Sequence, residues 1–200
     1  MTAKQDVAAT RPFRRPAREA LLEAAAKRFY AHGLTGTGID TITAEAGVAK
    51  KSLYNNFASK ADLVTAYLYA RHEEWLGLYR ARLQKATTPR NRVLAVFDAY
   101  ADHADLVYEH GFRGCGLLNA AAELPAGDPG RAVVRRHKEE VEAFLTEHLA
   151  KLPTPAGQAA PLARHLAFLL EGSMVRAGLE GDEGCVLEAR RIAADLLDRL

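Results

Sequence analysis

Apolar positions recur at three- and four-residue intervals along most of the chain, and the pattern predicts an all-α protein. The first amphipathic stretch runs from Pro16 to about His32, with Leu22, Ala25, Ala26 and Phe29 on one face. Gly33 suits the position just past its end. Thr35 to Gly38 reads as a loop, with Thr37 or Gly38 capping the next helix. Ile39, Ile42 and Ala46 then mark one face of that short helix. Gly47 supplies a turn, Val48 plugs it, and a second short helix from about Lys50 to Phe57 turns Leu53 and Phe57 inward. The first helix is the apolar lid over Ile39, Ile42, Val48, Leu53 and Phe57.

Helix, glycine turn, helix is the layout of a DNA-reading unit, with Lys50 to Phe57 as the recognition helix. The pattern leaves Lys50, Lys51, Ser52, Tyr54, Asn55 and Asn56 facing outward. Cations suit phosphate; hydroxyls and amides suit base edges and backbone.

Further along, Ser59 caps a long helix from about Lys60 to Lys85, with Asp62 at a position that resembles a capping box. Thr88-Pro89 opens another, expected to run to about Glu109. The glycine-broken HGFRGCG comes next, then a short helix from about Leu117 to Glu123. Asp128-Pro129 opens a helix to about Lys151, and Pro153 and Pro155 interrupt the chain. The last two helices are expected at about Gln158–Leu179 and Asp182–Leu200. Leu162, Leu166, Leu169, Leu170 and Met174 form a stripe on the first, and Ile192, Ala193, Leu196 and Leu197 on the second. Such a pair either packs on its own domain or meets a twin copy as a four-helix bundle.

Net charge is only +2, but its distribution is uneven. Residues 1–60 hold 10 Lys/Arg against 5 Asp/Glu, and residues 61–200 hold 17 against 20. A basic first third is what an end facing phosphate requires. Residues 1–15 read as a basic flexible arm, in which Arg14 and Arg15 either touch DNA or belong to a solvated tail. The division expected is this arm, a DNA-binding unit over 16–60 and a second helical unit over 61–200. No run of about 18 apolar residues suggests a membrane span and no apolar signal core opens the chain, so a cytoplasmic location is expected. Cys115 and Cys185 have no metal spacing and read as reduced thiols. No Glu or Asp has His three residues on, and no H-x-x-x-H, G-x-S-x-G or P-loop pattern occurs. An enzyme is not expected, nor a cofactor or metal.

Three runs carry a resemblance: Phe29-Tyr30-Ala31-His32-Gly33-Leu34; Ile42-x-x-x-Ala46-Gly47-Val48; and Leu53-Tyr54-x-x-Phe57-x-x-Lys60-x-x-Leu63. Over about residues 18–64 the chain resembles the DNA-binding domain of the TetR family of transcriptional regulators. The resemblance implies that Lys50, Lys51 and Ser52 reach base edges and nearby phosphates, with Asn55 beside them. It implies that Tyr54 and Lys60 meet phosphate, and that Thr37 caps the second helix and faces the DNA backbone. Ala49, Lys51, Asn55 and Asn56 depart from residues common in the family, so the operator sequence is not implied. FRGCGLLNAAAEL is similar to a segment in the C-terminal domain of some members. Further implications are a homodimer through the last two helices, a palindromic operator and a small-molecule effector of unknown identity, with a repressor the expected role. The effector pocket expected is Tyr67, Trp75, Tyr79, Phe97, Tyr100, His103, Phe112, Leu117, Asn119, Phe144, Phe168 and Arg176, although ordinary core packing also explains aromatic residues at these spacings. A DNA-binding regulator or scaffold without an effector is the alternative.

Overall fold

A computed structural model describes residues 16–106 and 108–200, so Arg14, Arg15 and the rest of the expected arm lie outside the described residues. Among those described there are nine helices and no strand. They are α1 (Ala17–Gly36), α2 (Ile39–Glu45), α3 (Lys50–Asn56), α4 (Lys60–Lys85), α5 (Pro89–Ala104), α6 (Gly116–Glu123), α7 (Pro129–Leu149), α8 (Ala159–Glu180) and α9 (Gly184–Leu197).

Local chemistry sets most of the helix starts. Ser59 accepts from the Asp62 N–H at 3.0 Å, Thr88 from Asn91 at 3.2 Å and Asp128 from Gly130 at 2.8 Å. Each side chain satisfies one of the N–H groups that the first turn leaves without a partner. The Asp62 carboxylate also accepts from Ala58 N at 3.1 Å, so the α4 start is held from both sides.

α1 buries Leu21, Ala24, Ala25, Phe29 and Tyr30. That arc is shifted from the expected Leu22, Ala25, Ala26 and Phe29, because α1 packs against α2 and α3 on one side and α4 and α6 on another. α5 stops at Ala104 rather than near Glu109. The reason is tertiary: Tyr108 stacks on Tyr30 at 4.3 Å, and its hydroxyl donates to His103 O at 2.8 Å. Continuing the helix would forfeit both.

α4 links the two parts of the molecule; at ~1.5 Å per residue its length is roughly 39 Å. Beyond α1 to α3, the remaining helices pack chiefly as α7 on α8, α4 on α5, α8 on α9 and α5 on α9. Bidentate pairs fix this bundle: Arg82 to Asp102 joins α4 to α5, Arg190 to Asp98 joins α9 to α5, and Arg90 to Asp198 does so at the other end.

The expected association stripe needs correction. Leu166, Leu170, Met174, Ala193 and Leu197 are buried in the chain's own core, and Leu162, Leu169 and Leu196 are half-buried against it. α8 packs on both α7 and α9, so its most regular apolar stripe is consumed internally. Of the expected set only Ile192 stays exposed; it is joined on α9 by Leu187 and on α8 by Phe168, Val175 and Leu179.

Candidate nucleic-acid interface and effector site

Gly47 turns the chain between α2 and α3 with φ +64°, a region that disfavours a Cβ. The Val48 N–H closes the turn on Thr43 O at 3.1 Å. Behind α3, Ile42, Leu53 and Phe57 are buried, and Arg18 lies over the Phe57 ring at 5.2 Å. α2 is pinned to α1 by Glu45, which accepts from Lys27 Nζ at 2.8 Å and Arg28 Nε at 3.1 Å. The outer face of α3 is therefore held rigidly against a packed support.

That face carries Lys50, Lys51, Tyr54 and Asn55, all exposed, with Ser52 half-buried beside them. Tyr54 is 52% exposed, although it follows a fully buried leucine. Lys50 pairs with Asp40 at 2.8 Å, and the Asp40 carboxylate holds its pKa above the ordinary value. Asn56 is committed internally, donating to Ser52 O at 2.8 Å. Ala49 caps α3 without a side-chain hydrogen bond.

Two expected DNA contacts take other partners. Thr37 is 1% exposed; its hydroxyl donates inward to Gly33 O at 2.7 Å and Arg28 O at 3.1 Å. Gly38, not Thr37, is the α2 N-cap. Lys60 donates from Nζ to Leu34 O at 2.6 Å. Carbonyls at the end of a helix need such donors, and Lys60 stands beside one.

The junction between α1 and the bundle rests on two residues that sequence reasoning missed. Arg113 donates from one Nη to Tyr30 O and Ala31 O at 2.7 and 2.6 Å. The Glu123 carboxylate accepts from Leu34 N at 2.8 Å and Thr35 N at 2.7 Å. Burial acts to raise the Glu123 pKa, but the Thr35 and Leu34 donors outweigh it and hold the carboxyl below the usual value. Tyr30 completes the joint: its hydroxyl donates to Gly114 O at 3.1 Å and accepts from Arg113 N at 2.6 Å. The signal available was an arginine inside a glycine-rich break and a glutamate at the end of a short helix, and neither marks a partner.

Inside the bundle, aromatic and imidazole rings gather around Trp75. It stacks on Tyr79 at 5.4 Å, tilts against Tyr100 at 5.0 Å and meets the His137 ring at 5.2 Å. Phe144 stacks on Tyr79 at 4.9 Å. His137 binds Tyr100 Oη through Nε2 at 3.1 Å and His72 Nδ1 through Nδ1 at 3.0 Å. A cavity of about 10 Å³ is lined by Arg71, Trp75, Tyr100, His103, Cys115, Gly116, Leu117 and His137. Burial pushes His103 down to about 4 and His137 to about 3, with the nearby Lys138 contributing to both. Both imidazoles are therefore neutral near pH 7.

Of the expected pocket, Trp75, Tyr100, His103 and Leu117 line this cavity. Tyr67, Tyr79, Phe97 and Phe112 are buried in the same core, with Phe144 half-buried, but none of them lines it. Three assignments are corrected. Phe168 is 65% exposed on the outer face of α8. Arg176 is exposed and pairs with Glu180 at 3.0 Å. Asn119 is exposed and donates to Arg113 O at 2.8 Å, bracing the junction loop. Arg71, Cys115 and His137 were missed as lining residues. His137 was within reach, since it sits four residues from both Val133 and Val141 on the apolar face of α7. Cys115 is buried, Cys185 is half-buried, and both are free thiols. Among the described residues, no group of His, Cys, Asp or Glu forms a metal site, and no helix is long and apolar enough to cross a membrane.

Residues 21–67 match the family described as bacterial regulatory proteins, tetR family. Two curated relatives come from Mycolicibacterium smegmatis. The HTH-type transcriptional activator FasR is 34% identical over 98 residues, which is 49% of this chain and 43% of that protein. The HTH-type transcriptional repressor KstR2 is 34% identical over 82 residues, 41% of this chain and 40% of that protein. Each match spans less than half of the curated relative's length. Solved structures match over nearly their full lengths. A TetR-family transcriptional regulator from Streptomyces coelicolor is 34% identical with a TM-score of 0.80, covering 92% of this chain and 95% of that one. A TetR-type regulator from Streptomyces avermitilis is 31% identical with a TM-score of 0.69, covering 91% and 98%. With an exposed reading helix on a packed three-helix unit and a helical bundle behind it, this chain belongs to the TetR family of DNA-binding transcriptional regulators, which are dimers and not enzymes.

Proposed function

We propose that the protein is a cytoplasmic repressor that binds a palindromic operator as a homodimer and is released by a small, largely apolar or aromatic ligand. Repression asks least of the molecule, since a dimer seated on its operator obstructs transcription by occupancy alone. Residues 16–60 read the DNA and residues 61–200 carry the effector site and the dimer contact. Lys50, Lys51, Ser52, Tyr54 and Asn55 supply the DNA contacts, with the basic 1–15 segment as an arm.

The dimer contact is assigned to the exposed line Phe168, Val175 and Leu179 with Leu187 and Ile192. Phe168 and Val175 are seven residues apart and Leu179 four further on, which puts them on one face of α8. Reading both half-sites requires two α3 helices about 34–36 Å apart, or a multiple of that.

The observation that carries ligand release is the junction. Arg113 grips the Tyr30 and Ala31 carbonyls, and Arg113 is two residues from Cys115, which lines the central cavity. A ligand that displaces Cys115 or Leu117 pulls on α1 and so on the spacing of the reading helices. That is a population shift between two arrangements of one joint. A second reading, a DNA-binding regulator without an effector, is favoured by the cavity volume of about 10 Å³, room for about one water.

The test is a fluorescence-anisotropy titration of DNA from the gene's own upstream region, at two salt concentrations, repeated with added small aromatic compounds. Tight, palindrome-dependent binding that weakens with salt and is reversed by a compound supports the proposal. Binding that no compound reverses favours the second reading, and absence of binding at any upstream site refutes both.

A further inference from the structure

We propose that the effector is a small aromatic carboxylate whose oxygens accept hydrogen bonds from the Trp75 indole and the Arg71 guanidinium; this rests on the reading of the bundle as an effector site. Trp75 is 3% exposed and lines the central cavity, yet no acceptor of the protein meets its Nε1–H. An indole nitrogen only donates, and a buried donor left without an acceptor is disfavoured. Arg71 presents a second such group. Its Nε is buried without a protein acceptor and Arg71 lines the same cavity, while its Nη1 pairs with Glu74 at 2.7 Å. Residues 71 and 75 are four apart on α4, so their side chains are neighbours on one helical face. Two donors without a protein acceptor, on cavity-lining residues one helical turn apart, suit the two oxygens of a carboxylate.

The surroundings favour an anion over a neutral or cationic ligand. No Asp or Glu lines the cavity itself; the carboxylates nearby are Glu74, which pairs with Arg71, and Glu109, and both border a groove outside it. Lys138 sits over the Tyr100 ring at 5.4 Å with its ammonium 3.5 Å from Tyr100 Oη. Its carboxylate partner, Glu171, is 3.8 Å away and more exposed than the lysine. The two imidazoles are held neutral first by burial, then at His103 by the positive charge of Arg71 followed by Lys138, and at His137 by that of Lys138. Trp75, Tyr100 and His137 give the cavity flat walls, which select a planar body.

Access and response depend on one residue, Arg71. At about 10 Å³ the cavity is smaller than one aromatic ring, so binding requires a side chain to move. Arg71 also borders a surface groove of about 280 Å³, shared with Tyr30, Glu74, Leu106, Tyr108 and Glu109. A swing of Arg71 joins groove to cavity. It takes place beside Tyr108, which stacks on Tyr30 of α1, so ligand arrival is felt by the helix that supports the DNA-reading unit.

The chain has a single tryptophan, so its emission reads this cavity directly. Benzoate and cinnamate are titrated against the full-length protein beside benzamide and cinnamamide, and calorimetry follows the variants Arg71→Gln and Trp75→Phe. Saturable emission changes with the acids, at least about tenfold weaker binding of the amides, and at least about a tenfold loss of acid affinity in Arg71→Gln support the proposal. Amides that bind as tightly as acids overturn it, as does wild-type protein whose emission neither acid changes. An acid that binds at Trp75 without releasing DNA supports the ligand class and overturns the release mechanism instead.

Discussion

Gly178→Ala is the substitution whose effect the structure fixes most tightly. A Cβ at position 178 would stand 2.6 Å from Gly114 N and 2.7 Å from both Arg113 C and Gly114 Cα. Carbon contacts are comfortable at ~3.5–4.0 Å, so the shortfall is about 1 Å. Every atom met belongs to backbone, so no side chain can rotate away; the 113–114 segment must retreat from α8. That retreat strains the Tyr30 to Gly114 bond and the Arg113 to Tyr30 bond, at 3.1 and 2.6 Å. Overpacking costs about 1–3 kcal/mol and each weakened hydrogen bond about 1, offset by about 1 from the better helix propensity of alanine. The net expected is about 2–4 kcal/mol, which in a chain of this size lowers Tm by roughly 4–16 °C. Gly77→Ala is the matched control: Gly77 is exposed on α4, and an added Cβ there meets nothing within 4 Å. It should stabilise by about 0.5–1 kcal/mol and raise Tm by about 2 °C. Scanning calorimetry at one fixed protomer concentration measures both. A Gly178→Ala protein melting within about 1 °C of wild type would refute the close approach of α8 to the junction loop.

Three further outcomes are expected. Tyr54→Phe should weaken operator binding about fivefold, one hydrogen bond's worth, while Lys51→Ala should reduce the slope of log affinity against log salt by about 1; anisotropy titrations unchanged in both would move the DNA contacts elsewhere. Phe168→Glu with Leu179→Glu should shift the light-scattering mass from twice the 21.8 kDa chain to the chain itself, leaving helicity intact because these side chains are 65% and 79% exposed; a persistent dimer would contradict the assigned face. Stability should fall on acidification below about pH 6.5. His103 and His137 have folded pKa values near 4 and 3, below the ordinary value of 6.5, so the unfolded chain binds more protons in this window. Tm should therefore decline from about pH 6.5 down to the folded values of about 4 and about 3, and a His103→Asn, His137→Gln double variant should flatten that decline.

What the sequence disclosed, it disclosed through local chemistry. Ser59, Thr88 and Asp128 cap helices as expected because a cap needs only its own next turn. The turn at Gly47 and the buried Leu53 and Phe57 were legible for the same reason. α8 was legible only as an amphipathic helix. Periodicity says that Leu166, Leu170 and Met174 need a cover, but not that α7 and α9 provide it, leaving Phe168, Val175 and Leu179 bare. The end of α5 depends on Tyr108 meeting Tyr30, a contact 78 residues apart in sequence. In the candidate site, Trp75, Tyr100, His103 and Leu117 were readable because buried aromatic and apolar groups announce themselves. Arg71, Arg113 and Glu123 were not, since a charged residue reads as surface until the orphaned backbone groups or ring it meets are known.

Taken as the proposed dimer contact, the bare line on α8 also sets how expression level translates into control. With the proposed dimer contact on Phe168, Val175 and Leu179, the DNA-reading species forms in proportion to the square of the free protomer concentration while protomers predominate. Halving synthesis then removes about three quarters of the operator-competent species, and doubling it yields about four times as much. A modest change in dosage becomes a steep change in occupancy, before any ligand is present.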